Sequence, residues 1–292
     1  MPELPEVETT LRGIEPHILN KKITSITVRN PSLRWPVPTN SLKASLISNS
    51  FLSIKRRGKY LILESLNGFV LIHLGMSGCL RIFDNKSPHE KHDHVDVSFD
   101  DNSILRYTDP RRFGSFLWTT EPESHVLISK LGPEPLGNKF SGTYLFEKSR
   151  KKKMPVKNFI MDSQIVVGVG NIYASEALFL AGIRPKKYAG KVTHNQYESL
   201  ALEIRNLLNK SIEKGGTTLR DFVGGDSQPG YFKQQLNVYG RSGQECKVCQ
   251  SILKNLKIGQ RGSVYCPKCQ NWFYSLKRFL RASSMIGSTK EE

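Results

Sequence analysis

The stretch Tyr60–Ile72, YLILESLNGFVLI, consists of two apolar runs separated by a turn signal. The runs are Tyr60–Leu63 and Phe69–Ile72. Between them lies Asn67-Gly68, a dipeptide that favours the tight turn of a β-hairpin because both residues tolerate positive φ. The stretch therefore predicts two antiparallel strands.

The surrounding sequence, from about residue 21 to residue 118, continues in short β-type runs. Val95, Val97 and Phe99 alternate with polar residues, and residues 100–103 then turn the chain into a further run. Several antiparallel strands in succession indicate a sandwich or a barrel.

Helical periodicity flanks this β region on both sides. Glu6–Leu19 has apolar residues every three or four positions, which predicts one helix. After a Pro/Gly-rich boundary at residues 131–135 the period becomes helical again. Thr193 and Gln196 form a capping box before a second amphipathic helix, which Gly215-Gly216 ends.

The charge balance is strongly basic. The 292 residues include 43 Lys and Arg against 26 Asp and Glu, which gives a net charge of +17. This excess favours a polyanionic partner, with nucleic acid ahead of an anionic membrane, although a merely basic soluble protein is the alternative. No apolar run approaches the ~18 residues that a membrane span needs, and the acidic start does not resemble a signal peptide. We therefore expect a cytoplasmic protein that is not secreted.

Four of the five cysteines form two pairs near the end of the chain. Cys246 and Cys249 are separated from Cys266 and Cys269 by 16 residues, and each pair has the C-x2-C spacing. Two such pairs joined by a hairpin predict a structural site for one zinc ion, since four thiolates leave no position open for a substrate. Free or redox-active thiols are the alternative, and Cys79 is expected to pack as a small apolar residue.

Several further motifs occur in one order and spacing along almost the whole chain, to about Gln270. In the order and spacing of these motifs, the sequence resembles the bacterial formamidopyrimidine-DNA glycosylases. The stretches that carry the resemblance are Pro2–Glu8 (PELPEVE), His73–Gly78 (HLGMSG), Asp109–Gly114 (DPRRFG), Val167–Ala174 (VGVGNIYA), and the cysteine module with Gln260–Gly262 (QRG).

The resemblance implies an enzyme that excises oxidised purines from duplex DNA and then cleaves the strand. It assigns the nucleophile to the Pro2 amine and general acid–base work to Glu3. It assigns proton donation in β-elimination to Lys59 and a role in δ-elimination to Arg261. Taken without the family, Glu3 is a solvated charge and Lys59 a surface lysine. Glu6 has a structural alternative, because a helix N-terminus favours a carboxylate.

The family also implies residues that hold the DNA. Met76, Arg111 and Phe113 match a wedge that fills the space left by a flipped nucleotide. Without the family, Met76 and Phe113 are ordinary core residues.

His92, Lys153 and Asn171 match contacts to the DNA backbone. The run that contains Lys153 otherwise reads as a solvated basic linker. Asn171 is otherwise an N-cap, a role that is compatible with the DNA contact. The loop Thr217–Tyr231 matches a lid over the flipped base, or is an ordinary surface loop.

The predicted architecture is an α+β multidomain protein. We expect an N-terminal helix with an antiparallel β-sandwich in residues 1–132 and a helical helix–two-turn–helix domain with the lesion loop in 133–236. A zinc-finger hairpin follows in 237–271. Residues 272–292 form an extension that the family usually lacks. Its aromatic and basic residues would bind nucleic acid or pack as a short helix on the zinc module.

Two other functions fit parts of the sequence. Related glycosylases for oxidised pyrimidines usually have Gly where Leu4 stands and lack the Met/Arg/Phe wedge. A non-catalytic zinc protein that binds DNA or RNA would not need the full set of Pro2, Glu3, Lys59 and Arg261. The expected partner is damaged double-stranded DNA, bound by a monomer.

Overall fold

A computed structural model of the chain describes residues 2–216 and 235–271. The predicted lid, Thr217–Tyr231, and the extension 272–292 lie outside the described residues. None of the helices in the described part of the chain combines the length and apolarity needed to cross a bilayer.

The described residues form two compact units. One comprises residues 2–131 and 210–216, and the other comprises 132–209 and 235–271. In chain order the elements are α1 (Leu4–Ile18), β1 (Ile23–Val28), α2 (Thr39–Leu46), β2 (Phe51–Arg57), β3 (Tyr60–Ser65), β4 (Gly68–His73), β5 (Cys79–Asp84), β6 (Asp93–Phe99), β7 (Ser103–Thr108), β8 (Ser115–Thr119), α3 (Gly142–Ser149), α4 (Val156–Met161), α5 (Asn171–Leu180), a 3-10 turn (Ala189–Lys191), α6 (His194–Glu213), β9 (Lys254–Ile258) and β10 (Arg261–Tyr265).

The predicted antiparallel sandwich is confirmed in the first unit. One sheet has the strand order β2-β3-β4-β8 and the other β1-β6-β7-β5, and every pairing is antiparallel. A single apolar core joins Ile72 of the first sheet, Val97 and Leu105 of the second, and Val7 and Ile14 of α1. Each of these side chains is at most 1% exposed, so α1 belongs to the sandwich core.

The hairpin predicted from the opening stretch is formed by β3 and β4. Ser65 pairs with Gly68, so the turn consists of Leu66 and Asn67, one residue earlier than the Asn67-Gly68 signal suggests. The shift leaves Leu66 exposed at the tip and keeps Gly68 in the strand.

The two predicted helix starts have different outcomes. The capping box before α6 is confirmed, since Thr193 N–H donates to Gln196 Oε1 (3.1 Å) and Gln196 N–H donates to Thr193 Oγ1 (3.3 Å). The first helix was expected from Glu6 but begins at Leu4. The spacing of apolar residues alone does not locate this helix start. The start is set by the Glu3 cap and by Pro5, whose fixed φ suits a first helical turn.

Polar residues of β6 and β7 are buried in an ion-pair network. The Arg106 guanidinium donates to both carboxylate oxygens of Asp96 (2.9 and 3.0 Å) and lies 3.5 Å from Asp93. Arg29 also donates to Asp96 (2.7 Å). Burial opposes ionisation of Asp96, but the hydrogen bonds from Arg29 and Arg106 outweigh it and lower its pKa.

We predict that Arg106→Met destabilises the protein by about 3–5 kcal/mol at neutral pH, because two buried carboxylates lose their shared cation. The exposed pair Lys21–Asp101 provides the matched control, and Lys21→Met should cost less than about 1 kcal/mol. Urea denaturation followed by circular dichroism measures both. Equal losses in the free energy of unfolding for the two variants would contradict the stabilising role of the buried ion-pair network.

Candidate active site

Pro2 and Glu3, the first two described residues, are buried, and Glu3 is hydrogen-bonded. Pro2 is buried and Glu3 is 2% exposed. Glu3 is the N-cap of α1 and forms a capping box with Glu6, whose Oε2 accepts the Glu3 backbone N–H at 2.9 Å. The interpretation of Glu3 as a solvated charge is therefore wrong. The structural role considered for Glu6 is confirmed.

The end of α6 approaches this N-terminus within the first unit. Gly216 packs so closely on Glu6 that a Cβ at Gly216 would lie 3.1 Å from Glu6 Oε1. Residue 216 directly precedes the segment expected to act as a lid. Gly216, the last described residue before that segment, thus lies beside Glu6, whose side chain accepts the Glu3 N–H.

Lys59 lies in the two-residue turn between β2 and β3 and is half-buried. The hairpin is tied to α1 by Arg56, whose Nε donates to Glu8 Oε2 (2.9 Å) and whose Nη1 donates to Gly58 O (3.0 Å). Lys59 is thus held on a short turn fixed to the helix that begins after Glu3.

His73 is a residue to which the sequence analysis assigned no role. Burial lowers its pKa to about 4, helped by the positive charges of Lys59 and Arg34. Its Nδ1 accepts the Gly75 N–H at 3.0 Å, so the neutral ring carries its proton on Nε2. His73 therefore holds the start of the loop that carries Met76. His73 belongs to the HLGMSG motif, but the alternation of residues along a strand identifies it only as the end of that strand.

Asp109, also without an assigned role, organises a second loop. Its carboxylate is fully buried and accepts hydrogen bonds from Ser77 Oγ (2.7 Å), Gly114 N–H (2.9 Å) and Arg111 N–H (3.3 Å). The backbone N–H of Asp109 donates to His92 O at 3.0 Å. One carboxylate thus ties together the segments that carry Met76, Arg111 and Phe113, with His92 bonded to its main chain.

The three expected wedge residues are adjacent and accessible. Met76 is 37% exposed and Phe113 is 45% exposed, so the interpretation of both as core residues is wrong. The Arg111 guanidinium carbon lies 4.8 Å from the centre of the Phe113 ring, a cation–π contact. Gly75, at φ +62°, lets the two loops meet, because a Cβ there would lie 2.5 Å from the Phe113 carbonyl carbon and from the Gly114 nitrogen.

In the second unit, the four paired cysteines converge on one point. Their sulfurs all lie within 4.8 Å of one another, with Cys246–Cys269 at 3.8 Å and Cys249–Cys266 at 3.4 Å. A zinc ion bound to four thiolates at ~2.3 Å separates the sulfurs by about 3.8 Å. The cluster fits a tetrahedral structural zinc, as predicted, and Cys79 lies apart from it, buried in the sandwich unit.

Arg261 is the exposed first residue of β10, next to the turn of the zinc hairpin. The hairpin is supported from beneath by Lys157, which is 1% exposed and donates from Nζ to Ser263 Oγ (2.7 Å) and Gly262 O (3.2 Å). Asn171 Nδ2 donates to the same Gly262 carbonyl at 3.3 Å. The structure therefore brings Asn171 and the Arg261 hairpin together, and Lys157 is a support that sequence reasoning missed.

Asn171 is the first residue of α5, and its N-cap is Gly170. The interpretation of Asn171 as the N-cap is therefore wrong. Its buried Oδ1 has no hydrogen-bond partner among the described residues.

Lys153 is exposed in the loop between α3 and α4. The interpretation of residues 150–153 as a solvated basic linker fits only part of this run. Arg150 is anchored, since its guanidinium donates to the carbonyls of Gly190 (3.1 Å) and Val192 (3.0 Å) and stacks on the Phe146 ring.

The class of protein whose sequence this chain matches is a DNA glycosylase with a zinc finger. Three family models match the chain, namely the formamidopyrimidine-DNA glycosylase N-terminal domain (residues 1–116), the H2TH domain of the same enzymes (131–223), and a zinc finger found in FPG and IleRS (243–271). The chain belongs to the formamidopyrimidine-DNA glycosylase family, whose members are bifunctional DNA glycosylases and AP lyases.

Individual relatives agree over nearly the whole chain. The formamidopyrimidine-DNA glycosylases of Stutzerimonas stutzeri and Saccharophagus degradans are 55% and 57% identical, and each match covers 92% of this chain and 100% of the relative. A Lactococcus lactis Fpg in complex with DNA containing an abasic site superposes with a TM-score of 0.85 at 34% identity, covering 92% of this chain and 99% of that one. MutM in complex with DNA containing carbocyclic 8-oxo-G gives 0.85 at 35% identity, with 92% and 100% covered.

We predict that Gly75→Ala weakens binding to damaged duplex DNA by at least about tenfold, or ~1.4 kcal/mol, because the new Cβ displaces the Phe113 loop. Gly137→Ala is the matched control, since a Cβ there makes only an ordinary contact of 3.5 Å. Fluorescence anisotropy with a labelled duplex measures both variants. Wild-type affinity for Gly75→Ala would refute the close approach of the two loops as a requirement.

We predict that Cys246→Ser releases the zinc and weakens DNA binding, because folding of the hairpin is coupled to metal binding. Cys79→Ser removes a cysteine outside the cluster and should keep a full complement of zinc. Metal analysis by mass spectrometry, paired with a DNA-binding titration, distinguishes the two. Zinc retained by Cys246→Ser at the wild-type level would count against the four-cysteine site.

Proposed function

We propose that this protein removes oxidised purines, chiefly 8-oxoguanine opposite cytosine and formamidopyrimidines, from duplex DNA and then cleaves the strand by β,δ-elimination. The observation that carries the proposal is the buried Pro2-Glu3 pair at the start of a chain that matches glycosylases over its length. Residues near a chain end normally fray, so the burial of Pro2 and Glu3 favours a chemical role. Structural relatives bind DNA that contains related lesions, carbocyclic 8-oxo-G for MutM and N7-benzyl-Fapy-dG for the wild-type Lactococcus lactis Fpg.

The nucleophile in this proposal is the secondary amine of Pro2 after Met1 has been removed. An α-amino group has a pKa near 7.7–8.0, so a useful fraction is unprotonated at neutral pH. The amine nitrogen attacks the anomeric C1′ as the bond from C1′ to the base breaks, and the base leaves with the bonding electrons. Loss of a proton and opening of the sugar ring then give an iminium, which is always cationic because the amine is secondary.

Glu3 acts as the general acid–base in these proton transfers. The iminium draws electrons from the sugar and acidifies its carbon-bound protons. Removal of a C2′ proton expels the 3′ phosphate, and a second elimination expels the 5′ phosphate. Lys59 donates a proton in the first elimination, and Arg261 assists the second and holds the phosphates around the lesion.

Access to a base inside a duplex requires that the nucleotide be flipped out of the stack. Met76 and Phe113 are exposed on adjoining loops and would enter the vacated space. Arg111, held against the Phe113 ring, would pair with the cytosine left behind. His92, Lys153 and Asn171 would contact the DNA backbone, and the loop Thr217–Tyr231 would cover the flipped base.

The wider setting follows from this activity. We expect a monomer that acts on DNA in the bacterial cytoplasm. The second candidate, a non-catalytic lesion-binding protein, is favoured only by features that an enzyme also needs, such as the basic surface and the zinc hairpin. Burial of Glu3 favours the enzyme, because a binder has no use for a carboxylate placed beside a chain-terminal amine.

We predict that Glu3→Gln lowers the rate of base excision by about 10²–10⁴-fold, the usual contribution of a general acid–base, while binding to the damaged duplex persists. Glu15→Gln on the same helix is the control and should excise at the wild-type rate. Single-turnover excision from a duplex with 8-oxoguanine opposite cytosine measures the change. Undiminished excision by Glu3→Gln would refute its assigned role.

The covalent step is tested separately by borohydride trapping on the same duplex. Untagged protein without Met1 should form a covalent adduct, and protein that retains Met1 should not, because its Pro2 nitrogen is then an amide. Tight binding to the duplex without a covalent adduct would favour the non-catalytic lesion-binding protein over the enzyme.

A further inference from the structure

A cationic cleft of about 750 Å³ lies beyond the C-terminal end of α5, within the second unit. Its wall is formed chiefly by the loop after the helix and by the last described residues of the zinc module. The residues that matter here are Arg184, Lys186, Lys187, Tyr188, Lys191 and Gln270.

The cleft is basic throughout. Residues 181–196 include four Lys and Arg and no Asp or Glu, and none of the described residues lining the cleft is acidic. Lys186 and Lys191 are exposed, whereas Lys187 is half-buried and donates from Nζ to Gln196 Oε1 at 2.7 Å. Cations gathered on a concave surface attract an anionic ligand more strongly than the same charges scattered over a convex one.

Main-chain and side-chain hydrogen bonds hold the cleft in a fixed shape. Gln270 links its two walls, since its Nε2 donates to Ile183 O and its Oε1 accepts the Cys266 N–H, both at 2.8 Å. Arg184 donates to Pro267 O on the zinc module at 3.2 Å. The cations therefore stand on a preorganised frame, which reduces the entropy lost on binding.

The cleft continues the surface that carries Lys153. The Gly190 N–H donates to Lys152 O at 2.9 Å, so the loop with the exposed lysines 151–153 lies directly beside Lys191. A path of positive charge thus runs from Lys153 into the cleft. Tyr188, 57% exposed, adds a phenol that can donate to a phosphate oxygen.

The cleft is separate from the contacts at the lesion. Asn171 starts α5 and the cleft lies past its other end, so the ten residues of the helix place them about 15 Å apart along its axis. A ligand in the cleft would therefore engage other phosphates than those at Asn171 and Arg261.

We propose that this cleft binds the sugar–phosphate backbone of the DNA that flanks the lesion, beyond the contact at Lys153. The inference rests on the proposed function only for the identity of the partner as DNA. The other candidate occupant, the extension 272–292, contains four Lys and Arg and two Glu. Its net positive charge disfavours its binding in a cationic cleft.

The test compares the double variant Lys186→Ala/Lys191→Ala with wild-type protein on two lesion duplexes. One duplex is short and centred on the lesion, and the other is longer by about ten base pairs on each flank, roughly 34 Å at ~3.4 Å per base pair. For the long duplex we expect the salt dependence of log K to become shallower by about 2 and affinity at 0.1 M salt to fall about tenfold or more, as two phosphate contacts are lost. Affinity for the short duplex and single-turnover excision should stay unchanged.

The control variant Lys43→Ala/Lys86→Ala removes the same charge from exposed positions of the first unit and should leave both duplexes unaffected. Equal losses on the two duplexes, or no loss on either, would overturn the proposal. The proposal would also be overturned if protein truncated after Asn271 bound the long duplex more tightly, because the extension would then be the occupant of the cleft. If the protein excises no base but the double variant still loses affinity for the long duplex alone, the proposed excision is refuted and the cleft proposal is supported.

Discussion

The capping of α1 by Glu3 and Glu6 is the interaction on which the rest of the site depends. A helix start needs acceptors for its first N–H groups, and here Glu3, a residue of the expected active site, takes part in the capping. The helix is anchored by its apolar face in the sandwich core, so its first turn inherits the rigidity of both sheets. A site at the end of a chain thus becomes as well fixed as one in the middle of a strand.

A second constraint is the buried Asp109 carboxylate, which explains how exposed apolar residues can be held in place. Met76 and Phe113 gain little from burial, so packing alone would leave them mobile. The loops that carry them are instead fixed through their main chains, by hydrogen bonds to Asp109 and to His73. Under the proposed function, a wedge built this way would keep its apolar surface available while its backbone resists displacement.

Much of the fold and part of the site could be predicted from the sequence, for physical reasons that differ by residue. The hairpin at Tyr60–Ile72 and the zinc cluster rest on local geometry, which short spacings encode. His73, Asp109 and Lys157 could not be found this way, because each matters through partners that folding brings near, such as Ser263 for Lys157. The wedge was expected only from family resemblance, since apolar side chains read as core until their exposure is known.

Burial of Pro2 has a consequence for the order of events during biosynthesis. Under the proposed chemistry, the enzyme that removes Met1 must reach the Met1–Pro2 bond while it is still accessible. The core that covers α1 includes Leu105, so it cannot close until about a hundred more residues have been made, roughly 5–20 s at the usual rate of translation. Maturation of the amine is thus best completed on the ribosome, and a chain that folds first would carry a blocked nucleophile inside an otherwise native protein.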